Sequence, residues 1–268
     1  MTLKNLRILM FAMCLALLTV VSARVSPARE DAAGPTEAEL WPTPEPTPEP
    51  PPPTLEPTEE PVIDLEAELP GVDLNAWYLK LVNNDNSLSA SFSPENVTAI
   101  RGGIYSQYFD SRAIERLEAM LDGAEAAGYE VYVRTAYRPY KSQATIFYGR
   151  ATVISENQGI EYAEAEQMAR KFVAYPGTSE HQLGLCADIM DSAQTPLDAE
   201  QAARLPLLLW LQEHCAEYGF IYRYPKEKQD ITGWYEPWHF RYVGEDAARY
   251  MADKNLCLEE FYALSSGA

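Results

Sequence analysis

Between residues 111 and 128, apolar side chains return every three or four positions. Ile114, Leu117, Met120, Leu121 and Ala124 fall on one face, which predicts an amphipathic helix. Asp110 or Ser111 is placed to cap its start, and Gly128 to end it. The period then changes, for 129–138 alternates and is rich in β-branched and aromatic residues, the pattern of a strand. Three further short runs, 185–191, 220–224 and 239–243, read as strands, and 140–153, 161–174, 206–218 and 244–254 as helices. The two kinds of element do not alternate regularly. That favours an α+β fold with a mostly antiparallel sheet flanked by helices over a parallel sheet.

The first part of the chain follows neither period. Lys4 and Arg7 precede an apolar run at 8–21, and Val21-Ser22-Ala23 offers the small residues of a cleavage site. Residues 1–23 therefore read as a signal peptide, with an uncleaved signal anchor and membrane tether as the alternative. The run is shorter than the roughly 20 residues of a spanning helix. Residues 24–70 are rich in proline, glutamate and threonine around TPEPTPEPPPPT, and hold too few apolar side chains to offset the entropy of ordering. Such a stretch is expected to be an extended, unpacked spacer, reaching on the order of 150 Å in polyproline geometry. Residues 71–268 are enough for one well-buried domain, expected to be a monomer.

Composition narrows the partners. The chain carries 40 acidic against 21 basic residues, a net charge of −19. No basic stripe is left for phosphate backbones, which argues against nucleic acid. Cys14 follows Met13, where a lipidation site would want a small residue. Removing the signal leaves Cys186, Cys215 and Cys257, so at least one has no intramolecular partner. A Cys215–Cys257 disulfide is the more plausible pairing for an exported protein, and the sequence leaves it open.

The chemistry concentrates in two segments, 176–191 and 233–244. His181, Asp188 and His239 offer two imidazoles and a carboxylate, three corners of a tetrahedron with the fourth left for water, as in a catalytic zinc site. Glu236, three residues before His239, is placed to take a proton from such a water, and the chain reads as a metal-dependent hydrolase. Acting as a fourth ligand, Glu236 would instead close the site. Gly184 permits a tight turn between His181 and Asp188. Pro237 disfavours a helical Glu236, so Glu-Pro-Trp-His is expected to bend into the strand at 239–243. His214 reads as a helix-flank residue. Trp234 and Trp238 are candidates for a groove wall or for packing.

These residues match a family pattern. Ser179, His181, Gly184 and Asp188 fit Ser-x-His-x-x-Gly-x-Ala-x-Asp, and Glu236 and His239 fit Glu-x-x-His; further blocks stand at 79–97, 136–143, 218–225, 230–244 and 258–262. Over 77–262 the chain resembles the VanY-type zinc D,D-carboxypeptidases and their L,D-carboxypeptidase relatives, which trim peptidoglycan stem peptides. The resemblance implies a Hedgehog/D,D-peptidase-like zinc peptidase fold and one Zn2+ on His181, Asp188 and His239. It also implies Glu236 as general base and then acid. Arg138 would face the scissile carbonyl or the terminal carboxylate, with Gln143 and Ser179 completing recognition of the peptide end. Read without the family, Arg138 is a surface ion pair and Ser179 a loop brace.

The activity expected is removal of a C-terminal D-alanine by an exported protein, at the extracellular face of the membrane or in the cell wall. L,D-carboxypeptidase, endopeptidase and a silent wall-binding module are the alternatives. One position departs from the pattern: the usual alanine is Cys186. It shares a strand face with Asp188, where it either packs or points to the metal.

Overall fold

The computed structural model describes residues 65–69, 72–101, 106–191 and 198–265. The expected signal at 1–23 and nearly all of the expected spacer lie outside them. In chain order the elements are α1 (Leu65–Glu68), β1 (Val97–Ala99), β2 (Tyr108–Asp110), α2 (Ile114–Ala126), β3 (Val131–Thr135), α3 (Tyr140–Gln158) and α4 (Tyr162–Ala169). Then come β4 (Cys186–Asp191), α5 (Ala199–Ala202), α6 (Pro206–His214), β5 (Phe220–Tyr222), α7 (Gln229–Thr232), β6 (His239–Tyr242), α8 (Glu245–Asp253) and α9 (Leu258–Ser265). Four strands form one sheet in the order β3-β4-β6-β5, every pair antiparallel, and β1 and β2 form a separate antiparallel pair. The expected α+β class is the one observed.

Alternation along the central strands divides core from site. Ala187 and Ile189 of β4 and Phe240 of β6 enter the main core with Leu117, Met120, Leu208, Leu211 and Phe220. Each such large side chain contributes about 1.5–3 kcal/mol on full burial. Cys186 and Asp188, and His239 and Arg241, take the opposite face because successive side chains in a strand point to opposite sides. A helical hairpin of α3 and α4 encloses its own cluster of Phe147, Ala151, Ile154, Ala165 and Ala169.

Several expectations need correction. The strand at 129–138 is confined to Val131–Thr135: its register shifts between Val133 and Thr135, and the N–H groups of Tyr137 and Arg138 donate to Tyr108 O and His181 O. Neither Asp110 nor Ser111 caps α2, whose N-cap is Ala113. Instead the Asp110 carboxylate accepts from the backbone and guanidinium of Arg112. The helix at 206–218 becomes a 3-10 turn from Cys215 and stops at Gly219, where φ is 83°.

The last residues of the expected spacer are not extended. Leu65 and Leu69 bury themselves beside Leu79, Met251 and Phe261, giving that short stretch an apolar payload which the proline repeat lacks. Cys215 and Cys257 are free, as is Cys186, and all three are buried. Among the described residues, no helix is long and apolar enough to cross a membrane.

Candidate metal centre

The seven residues expected to bind metal or substrate or to act in catalysis line one cavity of about 170 Å³: Arg138, Gln143, Ser179, His181, Asp188, Glu236 and His239. A larger cleft of about 400 Å³, walled by Trp77, Phe92, Arg112 and Tyr262, contains none of them. Size does not locate the chemistry here; the gathering of donor groups does.

Each donor is positioned by a nameable piece of the fold. His181 lies in the 3-10 turn Glu180–Leu183, which Gly184 ends in the left-handed conformation at φ 71°. A Cβ at Gly184 would stand 3.2 Å from Pro94 Cγ, so the turn is tightly packed as well. Ala136 O accepts from His181 Nδ1 at 2.7 Å, which fixes the tautomer and leaves Nε2 as the free lone pair. That nitrogen is 3.5 Å from Asp188 Oδ2. Asp188 stands directly opposite His239 across the β4–β6 pair, and its Oδ1 is 3.1 Å from His239 Nδ1. The Asp188 carboxylate thus offers one oxygen to each imidazole.

Glu236 enters from the expected bend. Its N–H donates to Tyr224 O, its carbonyl accepts from the His239 N–H, and its Oε2 lies 3.5 Å from His239 Nδ1. Donor atoms of Asp188, Glu236 and His239 all fall within 4.8 Å of one another, as do those of His181, Cys186 and His239. Glu236 is therefore at ligand reach as well as at base reach.

The local electrostatics favour a cation. Burial opposes charging either imidazole, yet Cys186 and Asp188 outweigh it and hold His181 above, and His239 well above, the ordinary histidine range. Burial also pushes Cys186 up, but the two imidazoles bring it down to about 7. A spot that draws positive charge onto two buried rings suits a divalent ion, and the nitrogen and carboxylate donors are those zinc takes. The donor types fit the metal, with His181 and Asp188 falling in two groups that share His239.

Two polar atoms in the cavity wall have no partner among the described residues, Arg138 Nε and Gln143 Oε1. Gln143 is otherwise fixed, its Nε2 donating to Ala174 O at 2.6 Å. Ser179 is buried and makes no side-chain cap to the turn it precedes. Trp234 lines the cavity, whereas Trp238 packs on the main core. His214 is remote from this cavity and pairs with Glu217 at 2.7 Å.

Glu180 escaped the sequence reading. It is wholly buried behind His239, with Oε2 3.4 Å from His239 Nε2 and Oε1 accepting from Arg223 and Arg241 at 2.9 and 2.8 Å. Burial alone would raise its pKa, but the two guanidiniums hold it well below the carboxylate range. Its partners are 43, 59 and 61 positions away, so no local pattern could have exposed it.

Comparison with known proteins points to one family. The family model "VanY: D-alanyl-D-alanine carboxypeptidase" matches residues 106–245. The D-alanyl-D-alanine carboxypeptidase of Enterococcus faecalis is 36% identical over 190 residues, 70% of this chain and 67% of that one. The chain spans about two thirds of the length of the curated relatives it matches. Among solved structures, the LdcB LD-carboxypeptidase aligns with a TM-score of 0.61 at 36% identity, covering 68% of this chain and 84% of that one. A mutant of the vancomycin resistance D,D-pentapeptidase VanY in complex with Zn(II) aligns with a TM-score of 0.59 at 35% identity, covering 70% and 99%.

Proposed function

The chain belongs to the VanY D-alanyl-D-alanine carboxypeptidase family, and on that premise we propose that it removes the C-terminal D-alanine from peptidoglycan stem peptides. Zinc would be held by His181, Asp188 and His239. The observation that carries the reading is the one cavity that those donors, Glu236 and Arg138 line together. When bound, zinc supplies Lewis acidity, lowering the pKa of a water to about 7 and polarising a carbonyl.

The remaining work falls to the chain's own side chains. Glu236 takes the proton of the attacking water and passes it to the leaving amine. Burial raises its pKa, with His239 pulling the other way, which brings it towards the range in which one group can serve as base and then acid. Arg138, with its Nε unpartnered, meets the oxyanion that develops on the scissile carbonyl or the terminal carboxylate. Gln143 Oε1 accepts from an N–H of the peptide end, and Ser179 completes the wall. Arg138 and Gln143 are steadied by the backbone bond from Arg138 N to His181 O and by the Ala174 carbonyl.

The protein acts outside the cytoplasm in this reading, which the basic start, apolar run and small-residue site at 1–23 support, with the proline-rich segment as spacer. An L,D-carboxypeptidase acting on tetrapeptide stems is the second reading, favoured by the similarity to LdcB. Incubating the full chain with defined pentapeptide and tetrapeptide stems, with and without a chelator, and weighing the products decides between them. Loss of one D-alanine from the pentapeptide alone, stopped by the chelator, is the expected result. Release only from the tetrapeptide replaces it with the second reading, and release from neither overturns both.

A further inference from the structure

Among the described residues, Cys186 is a donor beside this centre that the proposed chemistry leaves unused and that no arginine neutralises, unlike Glu180. It lies on β4 two residues before Asp188, on the same face of the sheet, and is wholly buried. Across the strand pair it stands opposite Arg241, diagonal to His239. Its sulfur and one nitrogen each of His181 and His239 lie within 4.8 Å of one another. Atoms bound to one tetrahedral zinc stand about 3.5 Å apart, given Zn–N near 2.0 Å and Zn–S near 2.3 Å. A small closure of the three side chains therefore brings the sulfur into bonding range.

The surroundings also separate Cys186 from an ordinary packing cysteine. Buried free cysteines usually behave as small hydrophobes. Cys215 sits in the main apolar cluster, whereas Cys186 and Cys257 join none of the three; of these two only Cys186 stands beside imidazoles. The donor atoms grouped with its sulfur are those of the two imidazoles, with Asp188 two residues on along the same face and Arg241 opposite.

We propose that Cys186 is a fourth protein donor, so that this chain holds its ion with two imidazoles, a carboxylate and a sulfur. The inference rests on the zinc reading above. Sulfur is a favoured zinc donor, so the ion is retained more tightly than by the other three alone. Water and substrate would then be admitted only by expansion to five ligands, which catalytic zinc sometimes undergoes.

X-ray absorption at the zinc edge of the zinc-loaded full chain tests this directly. A sulfur shell at about 2.3 Å is expected beside the lighter-atom shell, and is expected to vanish in Cys186→Ala. In competition with a chelator, Cys186→Ala is expected to hold zinc roughly tenfold more weakly or worse. A nitrogen-and-oxygen shell alone in the unsubstituted protein overturns the proposal, as does equal zinc retention in the two proteins. The absorption spectrum of the unsubstituted protein decides the matter even if the variant fails to fold. Failure to take up zinc at all sinks the metal reading and this one together, whereas chelator-sensitive cleavage of the stem peptide without a sulfur shell sinks only this one.

Discussion

Glu180 and Glu236 are carboxylates set against the same imidazole, that of His239, in opposite surroundings. Glu180 is wholly enclosed, saturated by Arg223 and Arg241, and held far below the usual carboxylate range. Glu236 keeps 28% of its side chain exposed to the cavity, has no ion-pair partner but His239 among the described residues, and is pushed upward by burial. Environments that drive two like groups apart in pKa assign them different work. Glu180 is a permanent charge that braces the ring through Nε2, and Glu236 is free to change protonation on the side facing Nδ1.

The contrast is most sharply tested at Glu236. Glu236→Gln is expected to lower kcat by about 10²–10⁴-fold while zinc content, read by elemental analysis, stays the same. Loss of zinc in that variant would make Glu236 a ligand and erase the distinction. Glu180→Gln is expected to behave in the reverse way. It leaves two buried guanidiniums short of their shared anion, which costs about 3–5 kcal/mol of stability in urea unfolding.

Arg138→Ala comes next, with kcat/KM lower by about 10²–10³-fold and no shift of the unfolding midpoint, since its Nε has nothing to lose. Midpoint and activity falling together would move Arg138 to the structural side. The smallest effect is one of pH. The folded pKa of Glu180 is depressed, so its stabilisation is full above the unfolded value near 4.3 and is lost only as pH falls further towards the folded value. Urea curves of the unsubstituted protein and Glu180→Gln are thus expected to stay equally far apart from pH 7 to about 5 and to converge below about 4.

How much of this was legible in the sequence depended on range. α2 could be read because its apolar stripe repeats within a single helix, and the candidate site's gathering in one cavity because its proposed donors lie in two short segments with informative spacing. The β1–β2 pair, with three residues to a strand, is too short to display a period. The packing of Leu65 and Leu69 depends on Met251 and Phe261 at the far end of the chain, which a compositional boundary at residue 70 could not register. The role of Glu180 stayed hidden because its arginines are remote in sequence, Arg223 just after β5 and Arg241 within β6, where they read only as polar positions.

The pairing of Asp188 with His239 across two antiparallel strands carries one more consequence. A slip of one residue between β4 and β6 would turn every side chain of the slipped strand to the other face and separate the two proposed ligands. Metal capture would then act as a proofreading step on folding. A mispaired molecule could not collect the ion, so the zinc-to-protein ratio of a preparation would count its correctly assembled fraction.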